Sequence, residues 1–135
     1  SEMAWASTAR FAPDKVETWN NLGYVRRQLG NMEGAEQAYL AALGLNPSFA
    51  EALNNLGQVY RELERWDQAS ESFHKAMAAD PAFRGAYLNL ANLHKDRNDV
   101  DAERAMLKEI RERFGLSSRE GRYASGRMQE LADTN

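Results

Sequence analysis

Apolar residues recur along the chain at the spacing of an amphipathic α-helix. Trp19, Leu22 and Leu29 fall on one helical face, and a break at Gly30-Asn31 follows them. Beyond the break, a second apolar series has the same spacing and predicts a second helix packed on the first. The two series together predict a helical hairpin. The second series is Met32, Ala35, Tyr39, Ala42 and Leu43.

The whole pattern returns with a period of 34 residues, the separation of Asn20 and Asn54. The segment Asn20-Asn21-Leu22-Gly23 recurs as Asn54-Asn55-Leu56-Gly57 and, more loosely, as Leu88-Asn89-Leu90-Ala91. A period of this length predicts an all-α stack of two-helix units, in which function lies on an extended surface and not in a catalytic pocket. All the prolines close a unit before the next helix begins, at Pro13, Pro47 and Pro81.

The period predicts three repeats, at residues 16–49, 50–83 and 84–115. Residues 1–13 are expected to form the second helix of a truncated preceding repeat, because Trp5 lies one period before Tyr39. This half-repeat leads us to expect further repeats upstream in the parent protein.

Two alignments of the end of the third repeat with the earlier repeats are possible. A deletion of one residue between Asn98 and Ala102 would place Ala102 in the position of Ala35 and Ala69. Without a deletion, Leu107 takes the position of Phe73.

A C-terminal capping helix is predicted over residues 117–133. Ser117 and Glu120 have the spacing of a capping box that would begin this helix. Gly121 and Gly126 are unfavourable inside a helix by about 1 kcal/mol each. The helix therefore either covers the end of the stack or frays.

Composition narrows the classes of function. The chain has 135 residues and a formal net charge of -3, without the basic signature of a nucleic-acid binder. It has no cysteine and only two histidines, too few for an ordinary zinc site. No apolar run is long enough to cross a bilayer. We expect no cofactor, metal, nucleic acid or membrane partner; the sequence assigns no compartment, with the cytoplasm as the default expectation.

The recurring residues resemble the tetratricopeptide repeat, and the resemblance covers most of residues 16 to 114. It implies a right-handed α-solenoid of antiparallel helix pairs, a superhelix in which the first helix of each pair lines a concave groove. It also implies a non-catalytic protein-interaction module, and no phosphate loop, paired-histidine motif or Gly-flanked serine indicates an enzyme. The second repeat carries the pattern most fully, with Leu56, Gly57, Tyr60, Ala69, Phe73, Ala76 and Pro81.

The resemblance places the candidate site on the non-core faces of the first helices. An amide in every repeat could pair with the backbone of an extended peptide, and a cation in every repeat would favour acidic groups. Inheritance by duplication is the alternative reason for both ladders. The amide ladder is Asn21, Asn55 and Asn89, and the cationic ladder is Arg27, Arg61 and Lys95. The other candidate contacts are Asn20, Tyr24, Asn54, Gln58 and Asn92.

Three hypotheses follow. In the first, the concave groove binds an extended peptide or partner segment. In the second, the stack self-associates as a structural scaffold. In the third, it presents substrates to a larger enzyme such as a glycosyltransferase, because the amide ladder resembles the repeat region of protein O-linked N-acetylglucosamine transferases.

Overall fold

A computed structural model describes residues 14–134, which form seven α-helices and no strand. The all-α prediction is therefore confirmed for this part of the chain. The helix predicted in residues 1–13, including Trp5, lies outside the described residues. The helices are α1 (Val16–Gln28), α2 (Met32–Leu45), α3 (Ala50–Glu62), α4 (Trp66–Ala79), α5 (Arg84–Asp96), α6 (Val100–Phe114) and α7 (Arg119–Asp133).

The chain divides into two compact units, Ser1–Pro81 and Ala82–Asn135. In the first unit, α1 packs on α2, α2 on α3, and α3 on α4. In the second unit, α5 packs on α6 and α6 on α7. Each unit thus contains helices joined by short connections to their neighbours in sequence.

The turn inside each helix pair uses one residue with positive φ. These residues are Gly30 (φ 82°), Glu64 (φ 58°) and Asn98 (φ 56°), one period apart. Glycine and asparagine tolerate this left-handed conformation, whereas it costs energy for glutamate. The three pairs therefore share one turn geometry despite three different residues.

This shared turn decides the register of the third repeat. The helix α6 begins at Val100, one period after Trp66, so no residue is missing from the connection. Leu107 is fully buried in the position of Phe73, whereas Ala102 is only half-buried. The deletion register, which aligned Ala102 with the buried alanines of the earlier repeats, is therefore wrong.

The first unit depends on close contact between an aromatic ring and a glycine backbone. A Cβ atom on Gly23 would lie 2.6 Å from the ring of Tyr39, and one on Gly57 would lie 2.5 Å from the ring of Phe73. Both rings are fully buried. The paired helices can approach this closely because the side chain is missing on one of them.

Two buried phenols in the first unit differ in their hydrogen bonding. The Tyr39 hydroxyl has no hydrogen-bond partner among residues 14–134, whereas the Tyr60 hydroxyl donates to Glu36 Oε2 at 2.8 Å. Burial raises the pKa of Tyr39 to about 12, although the nearby Arg27 opposes the shift. Burial, followed by the hydrogen bond to Glu36, also raises the pKa of Tyr60 to about 12.

In the second unit, a glutamate occupies the position of two buried alanines. Glu103 lies one period after Ala69 and is 2% exposed. Arg127 of α7 donates to both of its oxygens, Nε to Oε2 at 2.6 Å and Nη2 to Oε1 at 3.1 Å. These hydrogen bonds raise the pKa of Arg127 above its usual range. A buried bidentate ion pair therefore fastens the C-terminal helix to α6.

The start of α7 differs from the prediction. Its N-cap is Ser118, whose Oγ accepts from the backbone N–H of Gly121 at 2.9 Å, so the capping box begun by Ser117 is wrong. Glu120 does not reach back to a backbone N–H of the preceding turn but binds Arg84. A Cβ atom on Gly121 would clash with the carbonyl oxygen of Gly115, so the fold requires glycine here.

We expect Gly57→Ala to lower the free energy of unfolding by about 1 to 3 kcal/mol, because the added methyl group meets the Phe73 ring. Gly44→Ala is the matched control in the same unit, since a Cβ atom there meets nothing within 4 Å. It should be neutral or stabilise the helix by up to about 1 kcal/mol. Urea unfolding measures both, and equal effects would contradict the close-contact argument.

We expect Tyr39→Phe to leave the free energy of unfolding at neutral pH unchanged or about 1 kcal/mol higher, because it removes a buried hydroxyl without a partner. Tyr60→Phe should lower it by about 1.5 kcal/mol, since Glu36 loses its donor. Because the pKa values of both phenols are raised in the folded state, their ionisation opposes folding: stability is unaffected below pH 10.0 and falls as the pH rises towards about 12.

Urea titrations across that interval should show a smaller alkaline loss in Tyr39→Phe than in the unmodified chain. A destabilisation of Tyr39→Phe at neutral pH as large as that of Tyr60→Phe would contradict the assignment of an unsatisfied hydroxyl.

We expect Arg127→Ala to lower the free energy of unfolding of the second unit by about 3 to 5 kcal/mol, because it leaves Glu103 buried without its counterion. The double variant Glu103→Ala/Arg127→Ala should recover much of this loss, since alanine occupies the same position in the earlier repeats. Lys108→Ala, which removes an exposed pair with Glu112, is the control and should cost at most about 1 kcal/mol. A single variant no worse than this control would refute the role of the pair.

Candidate functional site

The amides of α1 and α3 serve the contact between these helices. Asn20 is 7% exposed, and its Oδ1 accepts from Nδ2 of Asn55 at 3.1 Å. The expectation that Asn20 lies on a solvent-facing surface is therefore wrong: its side chain is buried between the two helices. Asn21, by contrast, is exposed. An amide–amide hydrogen bond thus links the first helices of the first two repeats.

An ion pair makes a second link between the same helices. Arg27 donates to Glu62 Oε1 through Nε at 3.0 Å and through Nη2 at 2.6 Å. Arg61, which follows Arg27 in the cationic ladder, donates to Gln58 Oε1 at 3.4 Å. A ligand carboxylate at Arg27 would therefore compete with Glu62.

The exposed part of this surface in the first unit combines an aromatic ring with amides. Tyr24 is 51% exposed, one turn before Arg27 on α1. Asn54 and Gln58 are half-buried on α3. We call the faces of α1 and α3 that carry Asn21, Tyr24, Arg27, Asn55, Gln58, Arg61 and Glu62 the first-unit strip.

In the second unit, the candidate residues lie on α5. Asn89 is half-buried and Lys95 is exposed. Asn92 Oδ1 accepts from the hydroxyl of Tyr123 at 3.2 Å, which ties α5 to the C-terminal helix. We call the face with Asn89, Asn92 and Lys95 the α5 strip.

Two residues at these strips, Glu62 and Tyr123, were not identified from the sequence. Glu62 lies one residue beyond a full period from Arg27, the same offset that joins Asn20 to Asn55. Tyr123 lies one period after Asn89 and so continues the amide ladder with a different residue type. Extension of the 34-residue period past residue 115 would have identified Tyr123 from the sequence.

The described residues offer no group of three or more histidine, cysteine or acidic side chains arranged to hold a metal ion. None of the helices in residues 14–134 has the length and apolar character to cross a membrane.

Two family models match the chain. The model described as TPR repeat matches residues 23–63, and the model described as Tetratricopeptide repeat matches residues 50–83. Both matches lie almost wholly within the first unit. No curated protein matches the chain.

Solved structures extend the likeness to most of the chain. The crystal structure of MamA protein has a TM-score of 0.77 at 22% identity, covering 83% of this chain and 61% of that one. YrrB, described as "a TPR protein with an unusual peptide-binding site", has a TM-score of 0.72 at 20% identity, covering 83% of this chain and 58% of YrrB. The Arabidopsis OM64 TPR domain has a TM-score of 0.73 at 20% identity, with 86% and 95% covered.

The chain therefore spans about three fifths of the MamA and YrrB chains. At this level of identity, the likeness shows the fold. The family models and the solved structures together support the tetratricopeptide repeat family, and the fold class is the all-α repeat solenoid of that family.

Proposed function

We propose that the chain is a non-catalytic protein-interaction module whose first-helix faces bind an extended peptide or partner segment. The first-unit strip is the peptide contact of the first unit, and the α5 strip is a separate contact of the second unit. Asn21 and Asn55 would bind the peptide backbone, and Asn89 would do so in the second unit. Arg27, Arg61 and Lys95 would favour acidic groups.

The observation that carries this proposal is the hydrogen bond between Asn20 and Asn55. A carboxamide has two N–H donors and a carbonyl acceptor, and this bond uses only one N–H of Asn55. Its carbonyl oxygen and second N–H match the amide and carbonyl of a peptide backbone. Because the bond orients Asn55, less side-chain entropy is lost on binding.

The charges of the strips set the preference for acidic partners. Glu62 compensates Arg27, so this cation attracts a ligand only where the ligand displaces Glu62. Lys95 is exposed on α5 and has the character of a point charge on a flexible stem. The acidic preference should therefore be moderate at the first-unit strip and depend more strongly on Lys95.

The matched repeats support an interaction role, and the peptide-binding site described for YrrB supports a peptide as the ligand. We also propose that residues 16–49, 50–83 and 84–115 are successive repeats and that 117–133 caps them. The resemblance of Asn21, Asn55 and Asn89 to the repeats of protein O-linked N-acetylglucosamine transferases remains a hypothesis about the parent protein. In that case the same strips would hold the substrate.

We expect the substitution of all three ladder amides, Asn21→Ala, Asn55→Ala and Asn89→Ala, to weaken peptide binding. The probes are peptides selected on the full chain from a random library displayed on phage, with dissociation constants measured by fluorescence polarisation. Each lost hydrogen bond is worth about 0.5 to 1.5 kcal/mol, so each substitution should raise the dissociation constant about two- to tenfold. An unchanged constant in the triple variant would refute the proposal.

Asn20→Ala is the matched control for Asn55→Ala. Both variants lose the bond between α1 and α3, but only Asn55→Ala loses the groups offered to the peptide. Asn20→Ala should therefore weaken binding less than Asn55→Ala. Equal losses would mean that the amides act only through the helix–helix contact.

Self-association is the second candidate function, favoured by two exposed leucines on α2. Leu40 is 49% exposed and Leu45 is 46% exposed. Light scattering of the full chain separates the two functions, because a scaffold gains mass with concentration. A constant monomer mass would exclude self-association of this chain.

A further inference from the structure

The second unit contains a cleft where α7 lies beside α5. The cleft has a volume of about 350 Å³ and is lined by Leu88, Asn92, Arg119, Glu120 and Tyr123. Three of these residues belong to the capping helix. The capping helix therefore forms one wall of a concave site, in addition to covering the last repeat.

The walls of this cleft break the repeat pattern. Leu88 stands one period after Asn54, and Tyr123 stands one period after Asn89. Inheritance by duplication explains an amide at such positions but does not explain the leucine and the tyrosine. Leu88 is half-buried, and Tyr123 is 39% exposed, so both offer apolar surface to the cleft.

Two contacts hold these walls in place. The Tyr123 hydroxyl donates to Asn92 Oδ1 at 3.2 Å, and both residues line the cleft. Arg84 Nη1 donates to Glu120 Oε2 at 2.9 Å, and the Arg84 guanidinium carbon lies 5.0 Å from the centre of the Phe114 ring. Tyr123, Asn92 and Glu120 are thus held in place by hydrogen bonds within the second unit.

The remaining charge of the cleft is positive. A hydrogen bond from its own backbone N–H, and then the pairing with Arg84, hold the pKa of Glu120 below its usual range. Glu120 is therefore a carboxylate already matched by a cation. Arg119, exposed at the rim, is the second cation and complements a carboxylate from outside.

We propose that this cleft is a specificity subsite for an extended peptide that carries an apolar side chain and an acidic side chain two residues apart. Side chains at this spacing project from the same side of an extended chain. The apolar side chain packs on Leu88 and Tyr123, and the carboxylate binds Arg119. The inference rests on the proposed peptide-binding function and names the class of peptide.

The probe is the short peptide acetyl-Phe-Gly-Asp-amide, titrated into the nitrogen-15-labelled full chain and followed by amide NMR shifts. We expect saturable shifts at residues 88–92 and 119–123. Replacing Asp by Asn in the probe should weaken binding about three- to fivefold, the range expected for an exposed ion pair. Replacing Phe by Gly should also weaken binding, because the apolar contact is lost.

Arg119→Gln should reproduce the loss seen with the Asn probe, and Leu88→Asn should reproduce the loss seen with the Gly probe. Arg104→Gln on α6 is the control, since it removes a half-exposed arginine of the same unit that does not line the cleft. Equal binding of the Asp and Asn probes, shifts confined to other residues, or equal losses in the Arg119 and Arg104 variants would each overturn the proposal.

The two proposals fail separately. If phage-selected peptides lose affinity in the amide variants while the short probe does not bind the cleft, peptide binding stands and the subsite is wrong. If the probe binds the cleft while the amide variants keep full affinity, the subsite stands and the amide ladder is wrong.

Discussion

The contact between an aromatic ring and a bare glycine backbone is the constraint on which the helix pairs of the first unit depend. Tyr39 and Phe73 occupy the volume that a side chain on Gly23 or Gly57 would fill. Because these contacts bring the two helices of each pair together, they also set which residues of α1 and α3 face away from the core. The packing that buries the two aromatic rings therefore also orients the first-unit strip away from the core.

In the second unit, different residue types occupy the positions where the paired helices pack together. Ala91 and Leu107 stand in the positions of the glycine and the aromatic ring, and both are buried. The neighbouring alanine position holds Glu103, whose charge is compensated by Arg127 from α7. The pair of α5 and α6 therefore depends on α7 for the counterion of Glu103, whereas the earlier pairs have alanine at this position. Removal of the partner of a buried charge costs about 3 to 5 kcal/mol, because the remaining charge is left without compensation.

The sequence alone was sufficient to predict the features that recur in every repeat. The helix pairs, the close contact at Gly57 and the buried Phe73 follow from one period and from helical spacing. The bond between Asn20 and Asn55 did not follow, because contacts between neighbouring first helices depend on their relative rotation, which gives an offset one residue longer than the period. The helix start at Ser118 did not follow either, since Ser117 also fits a cap, and the two are distinguished by the hydrogen bond from Gly121 N–H to Ser118 Oγ.

Two links join α1 to α3 in the first-unit strip, and they differ in how strongly they respond to salt. The amide pair of Asn20 and Asn55 is neutral at every pH and barely responds to ionic strength, whereas added salt weakens the partly exposed pair of Arg27 and Glu62. The hydrogen bond between the amides therefore continues to link the two helices at salt concentrations that screen the ion pair. The contact between α1 and α3 is therefore less sensitive to salt than the ion pair alone would make it.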